Sequence, residues 1–114
     1  METFTLVLTN LPDRDTASAL ARSLVEQRLA ACASVLSACT SVYRWKGAVE
    51  TAEEVPLLIK TRLSLYPQVE AAIRALHPYE LPEIVALPLQ RGLPAYLDWI
   101  AGETTAPGPV SRDD

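Results

Sequence analysis

Histidine occurs once in these 114 residues, phenylalanine once, cysteine twice and glycine four times. Each scarcity closes off a class of chemistry. One histidine cannot supply the paired imidazoles of an HExxH metal site, and CxxC is missing too. With so little glycine, a flexible backbone cradle for phosphate is not expected. There is no GxSxG elbow, so a nucleophile with its base has no signature and the chain reads as non-enzymatic. No apolar run approaches the roughly 20 residues that span a bilayer. The N-terminal Met1-Glu2-Thr3-Phe4-Thr5-Leu6-Val7-Leu8 lacks a basic leader region and reads as a first strand. The ten basic residues, eight of them arginine, are scattered against fourteen acidic ones. A net charge of −4 without a clustered Lys/Arg face argues against a nucleic-acid partner. Cys32 and Cys39 lie seven apart, which on one regular strand turns them to opposite faces. Free thiols in a cytoplasmic protein are therefore expected.

What the chain does contain is 49% hydrophobic residues in a length suited to one domain, placed at 1–102. After Gly102 the composition turns to Thr, Pro, Gly and Asp, and 103–114 reads as a disordered tail. Thr3 to Thr9 alternates as a buried strand. Asp13 or Asp15 can then cap a helix whose apolar stripe is Ala17, Leu20, Ala21 and Leu24. Ala30 to Leu36 and Ser41 to Trp45 are β-type, Lys46-Gly47 supplies a hairpin turn, and Val49 to Thr61 is the return strand. Pro56 cannot donate to a ladder, so an edge or a bulge is expected there. Glu50, Glu53 and Glu54 are expected to project into solvent. A second helix from Ser64 tolerates Pro67 in its first turn and carries Val69, Ile73 and Leu76 as its stripe. Pro82 to Pro88 is a short buried strand, and Tyr96, Leu97 and Ile100 share one face of a last short helix.

The stretch Leu76-His77-Pro78-Tyr79-Glu80-Leu81-Pro82-Glu83 concentrates the lone histidine, two prolines, an aromatic ring and two carboxylates. Its prolines stiffen the backbone, which suits a site and equally suits a helix stop followed by a strand start. Lys60, alone in an apolar strand, needs a carboxylate from Glu54, Glu80 or Glu83, or an opening to a cleft. Tyr43 and Trp45 suit either packing or ligand stacking.

The order β-α-β-β-α-β plus a short C-terminal helix is that of an α+β, ferredoxin-like sandwich, an antiparallel sheet with both main helices on one face. The other sheet face is left open, and oligomerisation through it is the physical expectation.

Five segments in this order and spacing resemble the CutA family of divalent-cation tolerance proteins: Leu29-Ala30-Ala31-Cys32, Ser41-Val42-Tyr43-Arg44-Trp45-Lys46-Gly47, Leu58-Ile59-Lys60-Thr61, His77-Pro78-Tyr79-Glu80-Leu81-Pro82-Glu83-Ile84 and Tyr96-Leu97-Asp98-Trp99. The resemblance implies a homotrimer, PII-like in assembly, whose long hairpins pair with neighbouring subunits. It also implies binding of copper or another divalent cation, with no tightly held cofactor. Copper favours imidazole and thiolate, harder ions carboxylate. The metal candidates are accordingly His77, Glu80, Glu83 and Cys32. In relatives for which copper ligands are proposed, a cysteine ends the first strand and two histidines precede Pro-Tyr. Here those positions hold Thr9 and Leu76, and only His77 remains. Tyr43, Trp45, Lys60 and Tyr79 are the candidates for a cleft between subunits, which a small molecule or protein would occupy if the chain is a PII-like sensor or scaffold.

Overall fold

In the computed structural model, which describes residues 2–105, the chain runs β1 (Phe4–Leu11), α1 (Arg14–Glu26), β2 (Cys32–Val35), β3 (Cys39–Trp45), β4 (Ala48–Arg62), a 3-10 turn (Leu63–Leu65), α2 (Tyr66–Leu76), β5 (Ile84–Leu89) and α3 (Pro94–Glu103). The sheet order is β2-β4-β1-β5, with antiparallel neighbours throughout, and β3 pairs with the far half of β4. This is the expected ferredoxin-like sandwich. The β4 strand is 15 residues long and overshoots the sheet, so β3 and β4 project as a hairpin. Lys46 (φ 49°) and Gly47 (φ 84°) close it, both in the left-handed region that a two-residue hairpin turn of this kind requires.

Val35 pairs with Leu57 and Cys39 with Glu54, so three residues on one side face two on the other. That is a bulge, and it sits where Pro56 has no N–H to give. The Pro56 carbonyl still accepts from Leu36 N–H at 3.0 Å. The bulge has a second effect. It shifts the side-chain alternation by one, so Cys32, opposite Lys60, and Cys39, opposite Glu54, share a face rather than taking opposite ones.

Alternation divides β1 and β4 between two layers. Val7, Leu11, Val55, Leu57 and Ile59 face α1 and α2, meeting Ala17, Leu20, Ala21, Leu24, Val69 and Ile73 in the main core. Asp13 caps α1 by accepting from Thr16 N–H at 2.7 Å, and this bond holds its carboxyl below the usual carboxylate range. Pro67 falls in the first turn of α2, which begins at Tyr66 because the preceding residues form the 3-10 turn instead. Leu76 does not belong to the buried stripe: it is 50% exposed at the helix end.

The second sheet face is not wholly open. The α3 helix lies across one end of it, and Phe4, Ala31 and Ile100 form a small second core there with Leu89, Leu97 and Ala101. Of the expected α3 face, Ile100 is buried and Leu97 packs, while Tyr96 is 37% exposed. Arg62 fastens this helix. Its Nε donates to Thr104 Oγ1 at 2.8 Å, one Nη to Glu2 at 2.8 Å and the other to the Ala101 carbonyl. Thr104 is itself buried, so folded structure continues past the boundary expected at 102. The rest of the expected tail, 106–114, lies outside the described residues.

These two layers predict a sharp contrast within α2. Ile73→Ala, which empties a fully buried position, costs about 2–5 kcal/mol of folding stability, whereas Leu76→Ala at the exposed end costs well under half of that. Urea unfolding at matched protein concentration measures both.

Candidate functional site

Asn10, next to last in β1, stitches the His77–Glu83 connection to the sheet. His77 Nε2 lies 2.6 Å from the Asn10 carbonyl, which can only accept, so this nitrogen carries the proton. The other ring nitrogen, Nδ1, accepts from Tyr79 N–H at 3.3 Å, and the Tyr79 ring tilts against the imidazole at 4.7 Å. Asn10 Nδ2 donates to Glu83 Oε1 at 2.9 Å. The histidine is 8% exposed and both its nitrogens are engaged. In this arrangement it offers no lone pair to a metal ion.

Beside the stitched connection lies a cleft of about 980 Å³. One wall is a single face of the hairpin, where alternation aligns Ser41, Tyr43 and Trp45 of β3 with Glu50, Ala52 and Glu54 of β4. The other wall is Tyr79 to Val85, including Glu80 and Glu83. Three aromatic rings and four carboxylates thus face one space. Burial pushes the Tyr79 hydroxyl above the ordinary tyrosine range, and the charge and hydrogen-bonding reach of Glu54 raise it further, with Tyr43 and Asp13 adding to the shift. At the hairpin tip, Lys46 Nζ sits 5.6 Å from the Trp45 ring centroid and 3.9 Å from Glu80 Oε1.

The candidate residues thus divide between places. Tyr43, Trp45 and Tyr79 meet in the cleft, joined by Glu80 and Glu83. Lys60 is elsewhere. It projects from the second sheet face, opposite Leu6 and Cys32, with its ammonium 5.5 Å from the Tyr96 ring and 3.4 Å from Tyr96 Oη. The carboxylate partner expected for it is replaced by a ring, because Glu54, Glu80 and Glu83 line the cleft instead. Cys32 is half-buried beside Lys60, its Sγ 3.8 Å from Ser34 Oγ, and lies four β4 residues from the Asn10 level. His77, Glu80, Glu83 and Cys32 do not converge, and among the described residues no three His, Cys, Asp or Glu side chains form a metal-ligating group.

Asn10, Glu50 and Glu54 were not legible as site residues. Asn10 reads locally as a turn former, and its contacts are more than 60 residues away in sequence. For the glutamates a signal exists: the period-two spacing Glu50-Ala52-Glu54 opposite Ser41-Tyr43 places them on one face.

Fold and site together define a ferredoxin-like α+β chain with a projecting hairpin and a side cleft. The family model of the CutA1 divalent ion tolerance protein matches residues 5–103, and the chain belongs to that family. The divalent-cation tolerance protein CutA of Thermus thermophilus is 44% identical over 99 residues, 87% of this chain and 96% of its own. Protein CutA of Mus musculus is 45% identical over 89 residues, and there the matched part spans only 50% of the mouse protein. Among solved structures, the Thermus thermophilus protein superimposes with a TM-score of 0.87 at 43% identity, covering 90% of this chain and 99% of that one. CutA1 of Shewanella sp. SIB1 does so with 0.88 at 38% identity, covering 90% and 96%.

Tyr79 yields an alkaline signature. A group whose folded pKa is raised contributes stability that is fully present below the unfolded value, about 10 for tyrosine, and lost as pH rises through the folded one. Tyr66, raised by burial and then by Glu70, acts in the same sense. Tyr79→Phe should therefore flatten, without abolishing, the fall in melting temperature above pH 10, as followed by circular dichroism. An unchanged slope would show that burial and Glu54 do not hold the Tyr79 hydroxyl above the ordinary tyrosine range.

Proposed function

We propose that this chain serves divalent-cation tolerance as a homotrimer, and that cations are met at boundaries between subunits and not by a site within one subunit. The observation that carries this reading is the uncovered part of the second sheet face with the hairpin beyond it. Leu87 is 49% exposed on the sheet and Val49 63% exposed on the hairpin, both outside the cleft lining, whereas the exposed Val42 and Val85 belong to the cleft. Burying such side chains recovers about 25 cal/mol per Å² of apolar surface, and a second copy is the partner always at hand. The number three comes from the family resemblance. The edges of β2 and β5 have no strand beyond them among the described residues, which suits pairing between subunits.

The metal side of this reading favours carboxylate over imidazole. His77 has both nitrogens engaged, and the thiol of Cys32 has the Lys60 ammonium on the neighbouring strand, an unfavourable place for a further cation. Glu80, exposed and held only by a 3.9 Å contact to Lys46, and Glu83 are the groups available at the surface. They suit harder divalent ions better than copper, which prefers the softer donors. A non-enzymatic role is part of this reading, and it rests on the family's description as divalent ion tolerance proteins. The two free thiols suit a reducing, cytoplasmic setting, and among the described residues no helix is long and apolar enough to cross a membrane.

A second reading, a PII-like sensor or scaffold that takes a small molecule or protein at the cleft, is favoured by the cleft itself, whose size lies within the range of small-molecule sites.

Two measurements test the first reading. Light scattering should give three times the 12.4 kDa chain mass, and Leu87→Lys should lower it. A wild-type mass equal to that of a single chain overturns the trimer. Calorimetric titration with Cu(II), Zn(II) and Mn(II) should find saturable binding that His77→Ala leaves unchanged, although that substitution costs about 1–3 kcal/mol of stability by stranding the Asn10 carbonyl. Loss of binding with His77 would return the imidazole to the ligand set.

A further inference from the structure

We propose that the cleft under the hairpin takes a linear aliphatic diamine or polyamine, its ammonium groups met by Glu50, Glu54, Glu80 and Glu83 and its methylenes laid against Tyr43, Trp45 and Tyr79. This rests on the second reading, that the cleft is a ligand site, and not on the trimer.

Three observations carry it. The first is the composition of the walls: four carboxylates, three aromatic rings and no lysine or arginine among the lining residues. Such a surface repels anions and attracts cations. The second decides which kind of cation. A hard divalent ion needs six or more oxygens converging at about 2.0–2.6 Å, and no such convergence of three acidic, histidine or cysteine side chains occurs among the described residues. Carboxylates divided between two walls of the cleft, Glu50 and Glu54 on one and Glu80 and Glu83 on the other, suit charges that are themselves spaced along a chain. Ring faces between them suit alkylammonium, whose weakly hydrated methylenes gain from the contact while its charge is drawn to the ring.

The third observation is that the chain already makes this interaction with itself. The Lys46 ammonium lies 5.6 Å from the Trp45 ring centroid and 3.9 Å from Glu80 Oε1, joining the hairpin wall to the connection wall at the rim. It is a primary amine on a four-carbon stem, held by one ring and one carboxylate. Its side chain is 71% exposed, and it is not among the residues that line the cleft. The rings of Tyr79 and Tyr43 and the carboxylate of Glu54 have no ammonium of their own among the lining residues. Lys46 is also a competitor, since it occupies the same partners and repels an incoming ammonium.

The test is calorimetric titration of the assembled protein with spermidine and 1,5-diaminopentane, beside MgCl2 as a control with the diamine's two charges and no methylenes and 1,5-pentanediol as a control with the diamine's shape and no charge. Saturable amine binding is expected, about tenfold weakened by Glu54→Gln and by Tyr79→Leu in variants shown to be folded by circular dichroism. Lys46→Gln should tighten it, a gain that disruption of the structure cannot produce. Amine binding indifferent to Tyr79→Leu, or matched by Mg(II), would overturn the proposal in favour of unspecific charge attraction. Binding of the diol without the amines would overturn the ligand class and leave the cleft as a site. No binding of any probe would remove the cleft reading as well.

Discussion

Everything in this fold hangs on the hydrogen-bond ladder of β4. Backbone polar groups removed from water must be paired, and 15 consecutive residues of β4 achieve this with three different strands: β1 on one side, β2 and then β3 on the other. Near its middle, Pro56 interrupts donation on the β2/β3 side only, so the ladder to β1 continues while the other edge breaks and resumes one residue out of step. That single missing proton separates a covered sheet from a projecting hairpin. The half of β4 towards Arg62 builds the core, and the half towards Ala48 builds a wall of the cleft.

The cleft depends on a second, smaller constraint. The connection after α2 leaves the helix at His77 with two prolines limiting its course, and it is tied to β1 through both ends of the Asn10 peptide and side-chain amide. In consequence the lone histidine, the most conspicuous residue of the chain, is spent on holding the backbone that presents Tyr79, Glu80 and Glu83. An imidazole with a carbonyl on one nitrogen and an amide on the other acts as a rivet. Its rarity made it look chemical, whereas its surroundings make it mechanical.

Much of the fold could be read from periodicity because each element buries one regular face. Ala17, Leu20, Ala21 and Leu24 announce α1, and Val69 and Ile73 announce α2. Leu76 misled because apolarity at the right spacing says nothing of whether a helix end still has a sheet beneath it. Cys32 and Cys39 misled for another reason: counting along a strand assumes an unbroken alternation, and one bulge reverses it. Lys60 exposed a further limit. A cation in an apolar strand demands a partner, yet residues alone do not say that an aromatic ring from α3, 36 positions on, will stand in for a carboxylate. Recognition of Tyr43, Trp45 and Tyr79 as neighbours came from the family resemblance, since strand pairing and loop docking set that proximity and neither is local.

Arg62 carries one more implication. By binding Glu2, Ala101 and Thr104 at once, its guanidinium gathers the two ends of the described chain to one pole of the sheet, beside Phe4, whereas the cleft begins at the opposite end of β1. Eight residues of β1, at roughly 3.3 Å each, keep the poles more than 20 Å apart. The chain therefore enters and leaves the described fold, at Glu2 and Thr105, well away from the aromatic walls. The same proximity suits circular permutation of the described fold, with Glu2 and Thr104 joined by a short linker and new ends opened at the hairpin turn.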